Sequence, residues 1–467
     1  MDMVSVLTTL DYIVFVTILI LTCASIIYGN KLLKKEDKSD SVLSVLLMGR
    51  KLTLPLFIAT LVSTWYGGIF GVTQIAYDYG IYNFITQGVF WYVSYLIFAI
   101  FMVNRIKRND VKTLPELTGK LFGPKSSYVA GIFNLLNVIP IAYALSLGIF
   151  IDTMFQTGVF YGTLFGTIFV VGYSIFGGFR AIVFSDLIQF FVMVSSVILI
   201  VVFSYGTLGG FDFLKENLPD THFSLTGGQP ISTLLVWGFI AMSTLVDPNF
   251  YQRVFAASDK KTAKKGIFVS TGIWCVFDIC TTAGAMYAAA HMPNLESSHA
   301  YLTYGMSILP DGLRGFFIAG ILATILSTLD SYIFVASTTV VYDLLHKATR
   351  FRFTHQIATI SIGLTAAILS TVFEGGIKDI WKTLGSYSAG CLLIPLLWGL
   401  FSKQKISDRT FVFATFLGAV GITVWRFLER SGFWENFDDL YVGMIITFAV
   451  FFMATIKSKL TSTPSSS

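Results

Sequence analysis

The chain has 467 residues, of which 54% are hydrophobic and only 13% charged, and its mean hydropathy is +0.72. Soluble domains carry about 25% charged residues, so this composition excludes a soluble enzyme, a disordered chain and a secreted disulfide scaffold, and leaves a polytopic membrane protein. The net charge of +5 is spread over loops between apolar stretches, which fits a lipid bilayer and no nucleic acid.

A bilayer core about 30 Å thick needs roughly 20 helical residues. That ruler finds about thirteen spans, near 11–30, 52–80, 82–104, 127–155, 159–177, 181–207, 232–251, 266–290, 313–345, 355–373, 383–402, 410–428 and 440–456. The first follows no basic leader and no small-residue cleavage site, so it is read as a retained span. The short turn at Gln156–Gly158 is the ambiguous boundary, and the small, polar tail Thr461–Ser467 is expected to be disordered. The four cysteines (Cys23, Cys275, Cys280, Cys391) lie inside apolar stretches with neither zinc nor disulfide spacing, and are read as packing residues.

Thirteen crossings place 26 of the 32 Lys and Arg on one side, including Lys38, Arg253, Lys347 and Arg350. The other side receives Lys215, Arg314, Lys378, Lys382, Arg426 and Arg430. The positive-inside rule then sets the N-terminus outside and the C-terminus in the cytoplasm. The expected location is the plasma (inner) membrane.

Inside the spans no Lys or Arg is expected away from the ends, yet carboxylates occur: Asp186, Asp278, Asp330, and Asp247 beside Pro248. An uncompensated acid at mid-membrane is costly, so the expected partner is a mobile cation or a proton. In the span 52–80, Ser63-Thr-Trp-Tyr-Gly-Gly-Ile-Phe-Gly71 weakens a helix at mid-depth. Freed carbonyls at such a break are cation ligands; the glycines alternatively mark close helix packing. Five spans on, Ser243-Thr-Leu-Val-Asp-Pro-Asn249 interrupts the span 232–251. Interrupted helices in corresponding places of two five-helix units point to a transporter's midplane site, and the odd offset inverts the second unit. In the span 313–345, Thr324, Ser327, Thr328 and Ser331 share one helical face, with Asp330 at its edge. Such hard oxygens suit an alkali or alkaline-earth ion, while small hydroxyl residues also line helix contacts.

Four blocks resemble the sodium:solute symporter family, with its leucine-transporter-like fold. They are Ala59-Thr-Leu-Val-Ser-Thr-Trp-Tyr-Gly-Gly68, Gly177-Gly-Phe-Arg-Ala-Ile-Val-Phe-Ser-Asp-Leu-Ile-Gln189, Phe250-Tyr-Gln-Arg-Val-Phe-Ala-Ala257 and Leu326-Ser-Thr-Leu-Asp-Ser331. The resemblance covers roughly residues 50–402. It implies an all-α membrane protein in four parts: an extra helix and loop (1–51), a first five-helix repeat (52–208), an extracellular loop with the inverted second repeat (209–402), and two C-terminal helices with the tail (403–467). It also implies a first Na+ site of carbonyls from Leu61, Thr64 and Thr324 with the hydroxyls of Ser327 and Thr328. A second Na+ site, held by some members, maps to Asp186, Ser327, Ser331 and Asp330; those members have serine at the position of Asp330.

The implied solute pocket comprises Trp65, Tyr66, Gly67, Gly68, Gln87, Trp91, Asp247, Asn249 and Trp274. Trp65 either stacks on a sugar, embraces an ammonium, or serves as a hydrophobic gate. The expected function is Na+-coupled import of a small polar organic solute by a monomeric or weakly oligomeric symporter, not an enzyme. The alternatives are a same-fold sensor for a partner kinase, which the lack of an output module disfavours, and a proton-coupled variant using Asp186, Asp278 or Asp330.

Overall fold

The computed structural model of the protein describes residues 6–36, 42–175, 178–346, 351–373, 375–432, 434 and 437–461. Outside them lie Gly177 of the second block, the loop residues Lys38, Lys347 and Arg350, and the tail beyond Thr461.

Helices carry the fold. Shorter helices at Val42–Leu47, Leu114–Leu121, Phe211–Asn217 and Ser297–Ile308 aside, they are in chain order α1 (Thr9–Glu36), α2 (Leu54–Ser63), α3 (Ile69–Tyr79), α4 (Phe84–Ile106), α5 (Pro124–Val138), α6 (Ile141–Phe155), α7 (Val159–Ser174) and α8 (Phe179–Leu208). There follow α9 (Ile231–Ala241), α10 (Pro248–Ala256), α11 (Lys260–His291), α12 (Leu313–Leu344), α13 (Phe351–Leu369), α14 (Gly376–Phe401), α15 (Asp408–Phe427) and α16 (Asp439–Thr461). Among the described residues, 11 segments are long and apolar enough to cross a membrane. The predicted spans 52–80 and 159–177 instead contain the shorter apolar helices Leu54–Ser63 and Val159–Ser174. The first of these is short because its span is broken in the middle. The second is a single helix that starts after a tight turn.

That turn is the Gln156–Gly158 boundary. Gln156 takes a left-handed conformation (φ 53°), Gly158 has φ 80°, and the Gly158 amide donates to Asp152 Oδ1 at 2.7 Å. The chain therefore reverses there, and α6 packs back against α7.

Burial separates centre from rim. In α12, 94% of the apolar window is buried, against 11% in α1. A helix apolar or small on every face belongs in the middle of a bundle, and α12 packs against α8, α1, α6 and α13. Small residues let these helices approach: Gly320 of α12 meets the Ser196 side chain of α8. Among the described residues the one β-bridge is a parallel pairing of Leu52 with Ala257. The Leu52 amide donates to the Ala256 carbonyl at 3.0 Å, and the Ser258 amide donates to the Leu52 carbonyl at 3.1 Å. This joins the start of α2 to the end of α10.

Candidate functional site

Two helices stop in mid-bundle. α2 ends at Ser63, and Thr64–Gly68 runs without helix until α3 begins at Ile69. Glycine is required here by crowding. A Cβ on Gly67 would stand 2.5 Å from Thr328 Cβ, and one on Gly68 would stand 2.0 Å from the Trp381 ring. The other interruption separates α9 from α10. A tight turn of helix over Met242–Val246 leads into extended backbone at Asp247, where Pro248 opens α10. Asp247 Oδ1 caps α10 by accepting from the amides of Asn249 (2.7 Å) and Phe250 (3.3 Å).

The broken end of α2 faces the hydroxyl stripe of α12. Ser327 Oγ donates to the Ser63 carbonyl at 2.8 Å and the Thr324 carbonyl at 3.2 Å. Thr328 Oγ1 donates to the same two carbonyls at 3.2 and 3.1 Å. Two carbonyls and two hydroxyls thus converge, and Ser63, Thr324, Ser327 and Thr328 are all buried. The donor set is all hard oxygen, which fits Na+. The carbonyl of α2 that these hydroxyls meet is that of Ser63, between the expected Leu61 and Thr64. Nearby, the Val62 carbonyl accepts from the Trp274 indole N–H at 3.4 Å.

The Asp186 region holds a residue that the sequence reading assigned to a cytoplasmic loop. Arg253 is fully buried, which corrects the expectation of no basic side chain deep in the bundle. The reason is that α10 continues past the predicted end of its span to Ala256, and turns Arg253 inward. Its Nη2 donates to Thr64 Oγ1 (2.6 Å), Ser331 Oγ (3.1 Å) and Thr60 Oγ1 (3.2 Å), and lies 4.0 Å from Asp186 Oδ2. Its Nη1 donates to Asn249 Oδ1 (3.2 Å) and Gln252 Oε1 (3.1 Å), and the guanidinium sits 5.3 Å from the centre of the Phe179 ring. Asp186 accepts from Thr60 Oγ1 at 2.5 Å through Oδ2, and its carbonyl accepts from Ser63 Oγ at 3.1 Å. Asp330 Oδ2 accepts from the Tyr173 hydroxyl at 3.4 Å. The Oδ1 atoms of Asp186 and Asp330 are buried without a hydrogen-bond partner.

Asp278 is held differently. Its Oδ1 accepts from Tyr66 Oη at 2.5 Å, and its Oδ2 accepts from the Tyr92 hydroxyl. Two phenols therefore give this buried carboxyl group hydrogen-bond partners on both oxygens.

Between the two interruptions lies a cavity of about 110 Å³. Trp65, Tyr66, Gln87, Trp91 and Asp247 of the expected set line it, together with Asn137, Tyr143, Ser243, Tyr332 and Trp381. Asn249 and Trp274 stand apart from it. The Asn249 carboxamide oxygen serves Arg253, and Trp274 packs among Tyr95, Phe250 and Trp65 with centroid distances of 4.4, 6.0 and 6.1 Å. Gly67 and Gly68 contribute backbone against Tyr143 and Trp381. Tyr143, Tyr332 and Trp381 come from three other helices, and only three-dimensional packing brings them to the cavity. Arg253 had a signal in the chain: it is flanked by Phe250-Tyr-Gln and Val-Phe-Ala-Ala257, an apolar setting unlike a loop.

The model of the sodium:solute symporter family matches residues 45–408. The high-affinity proline transporter PutP of Bacillus subtilis (strain 168) is 22% identical over 383 residues, covering 75% of this chain and 78% of that protein. The sodium/glucose cotransporter of Vibrio parahaemolyticus is 24% identical over 379 residues, with 68% and 67% covered. Among solved structures, a substrate-bound, outward-open Na+-coupled sialic acid symporter superposes with a TM-score of 0.79 at 14% identity, covering 97% of this chain and 98% of that one. MhsT in complex with L-phenylalanine superposes with a TM-score of 0.55 at 15% identity, covering 86% and 98%.

Proposed function

From the premise that the chain belongs to the sodium:solute symporter family, and so is a multi-pass membrane transporter and not an enzyme, we propose that it imports a small polar organic solute by Na+-driven alternating access. The observation that carries this is the convergence of Ser327 and Thr328 on the Ser63 and Thr324 carbonyls at the broken end of α2. A bound Na+ takes those four oxygens as ligands, and the hydroxyls turn their O–H bonds away from the carbonyls and offer the ion their lone pairs. Leu61 and Thr64, the neighbours of that carbonyl, complete the candidate set. Because the break also forms one wall of the cavity through Trp65 and Tyr66, ordering it with Na+ orders the solute site. A negative-inside potential adds about 2.3 kcal/mol per charge per 100 mV to the driving force.

Thirteen crossings, an external N-terminus and inverted repeats over 52–208 and 209–402 belong to the same reading. The solute site is the cavity. Its aromatic walls and the Asp247 carboxylate, with no Lys or Arg among its described lining residues, favour a neutral or ammonium-bearing solute over an anion.

A thermal-shift screen of amino acids, quaternary amines, sugars, carboxylates and vitamins, with and without Na+, identifies the solute. Accumulation of that solute in proteoliposomes under an imposed Na+ gradient is the test. Uptake driven by a pH gradient with Na+ absent, and unaffected by Na+, would overturn Na+ coupling. The double substitution Ser327→Ala with Thr328→Ala is expected to abolish sodium dependence while leaving the fold intact; unchanged Na+ affinity would sink the site.

A further inference from the structure

We propose that the cation-poor side of the bundle carries a site for one anionic glycerophospholipid, its headgroup among Lys382, Arg426 and Arg430 and its acyl chains in the groove between α9 and α16. Binding of the lipid is independent of the solute and of the Na+ reading. Only its bearing on transport rests on the cavity being the solute site.

The site is two hollows that meet. An apolar groove of about 760 Å³ lies between α9 and α16, walled by Leu235, Phe239, Met444, Ile445 and Phe448. Leu235, Ile445 and Phe448 are exposed, so the groove is open on the side of the bundle. It adjoins a polar cavity of about 890 Å³ whose lining includes Lys378, Lys382, Arg426 and Arg430. Ser232 and Phe437 border both hollows. An apolar trough joined to a cationic head has the polarity of a phospholipid standing in a leaflet, and basic pockets between transmembrane helices bind acidic headgroups.

Charge selects an anionic headgroup. Of the six Lys and Arg that the thirteen-span reading leaves on this side, four surround this one cavity. Asp379, Asp438 and Asp439 are the acids among its described lining residues, so cations outnumber carboxylates. Three of the cations have carboxylate neighbours: Arg426 Nε donates to Asp439 Oδ2 at 2.6 Å, Lys382 Nζ lies 3.0 Å from Asp438 Oδ2, and Lys378 Nζ lies 3.7 Å from Asp78 Oδ2. Arg430 differs. Its Nη1 donates to the Phe437 carbonyl at 2.7 Å and its guanidinium stands 5.5 Å from the centre of the Trp425 ring, with no carboxylate paired to it among the described residues. The Phe437 carbonyl thus fixes Arg430 where the hollows meet, and the remaining N–H groups of its planar fork are free for a phosphate. The site also adjoins the transport path: Ile240 of α9 lines both this cavity and the solute cavity, and Trp381 of the solute cavity lies between Lys378 and Lys382 on α14. A lipid held between α9, α14 and α16 braces two helices that wall the solute site.

The test needs neither solute nor Na+. The purified full-length protein, stripped of lipid in detergent, is followed by native mass spectrometry and thermal melts. Dioleoyl phosphatidylglycerol is expected to be retained as a single copy per chain and to raise the melting temperature, and dioleoyl phosphatidylcholine to do neither. Lys382→Gln with Arg430→Gln is expected to weaken phosphatidylglycerol about tenfold or more, and Lys382→Arg with Arg430→Lys to keep it within about threefold. Ser232→Trp, which fills the junction of the two hollows, is expected to weaken it about tenfold as well, and decides alone should the charge variant fail to fold. Equal stabilisation by phosphatidylcholine would overturn the proposal, as would unchanged phosphatidylglycerol binding in either loss variant. So would the same shift from free glycerol phosphate, which marks a site for a soluble anion, or a second polypeptide retained in place of lipid.

Discussion

Asp247 caps α10 with one oxygen, while the other accepts from the Tyr332 hydroxyl at 3.2 Å on the wall of the cavity. Two substitutions separate these roles. Asparagine caps a helix about as well as aspartate, so Asp247→Asn is expected to leave the melting temperature nearly unchanged. It removes the negative charge, and is expected to weaken an ammonium-bearing solute tenfold or more, about 1.4 kcal/mol or above. Asp247→Ala loses the cap as well, for about 1 kcal/mol of stability. Thermal melts with and without the solute found by screening check both, and an unchanged solute-dependent shift in Asp247→Asn would count against an ammonium ligand. Asp247 and Trp65 were visible in the sequence because an acid beside proline and a tryptophan beside two glycines are out of place in a span. Tyr332 and Tyr143, whose rings stand 4.6 Å apart at the cavity, were not, because an aromatic residue inside an apolar helix has the same appearance whichever way it faces.

At the scale of the helix, the two interruptions were the most legible part of the fold. Gly67, Gly68 and Pro248 act locally, through backbone freedom or a missing donor, and so they leave a mark in one dimension. The tightness of the first break was not legible, since it depends on Trp381, more than three hundred residues away. Gly68→Ala would set a methyl group 2.0 Å from that ring. Overpacking of this kind typically costs about 1–3 kcal/mol, so the melting temperature is expected to fall, and a second change, Trp381→Leu, to restore much of it. If Gly68→Ala were as stable as the native protein, the packing of α3 against α14 would need revision. The end of α10 shows the opposite failure of inference. The predicted span ends at residue 251, but the helix goes on to Ala256 and Arg253 is buried inside the bundle. Hydropathy cannot distinguish a cation in water from one compensated inside a bundle.

The whole molecule offers a sharper check on orientation. Lys261, in the first turn of α11, and Asn294, just past its C-terminal end, are both exposed. With the four natural cysteines replaced by alanine, Asn294→Cys is expected to react with an impermeant maleimide added outside intact cells, and Lys261→Cys only after permeabilisation. The reverse pattern would invert the topology. The apolar segments were legible because lipid demands a long apolar run for each crossing, and 11 among the described residues are long and apolar enough for one. How they assemble was not, since α8, α12 and α1 resemble one another in composition and differ chiefly in what surrounds them.

The backbone pairing of Leu52 with Ala256 and Ser258 bears on how such an assembly would move. It laces the α2 and α10 half-helices together at one face of the bundle, by main-chain bonds that no side-chain rotation can release. The pair is therefore expected to move as a single leaf, with opening of that face a rotation of both half-helices about the two interruptions. Ser258→Pro removes one of the two lacing donors. It is expected to loosen the leaf, seen as faster hydrogen exchange at the amides of Leu52 and Ala257, and to leave the oxygen cluster at Ser327 in place.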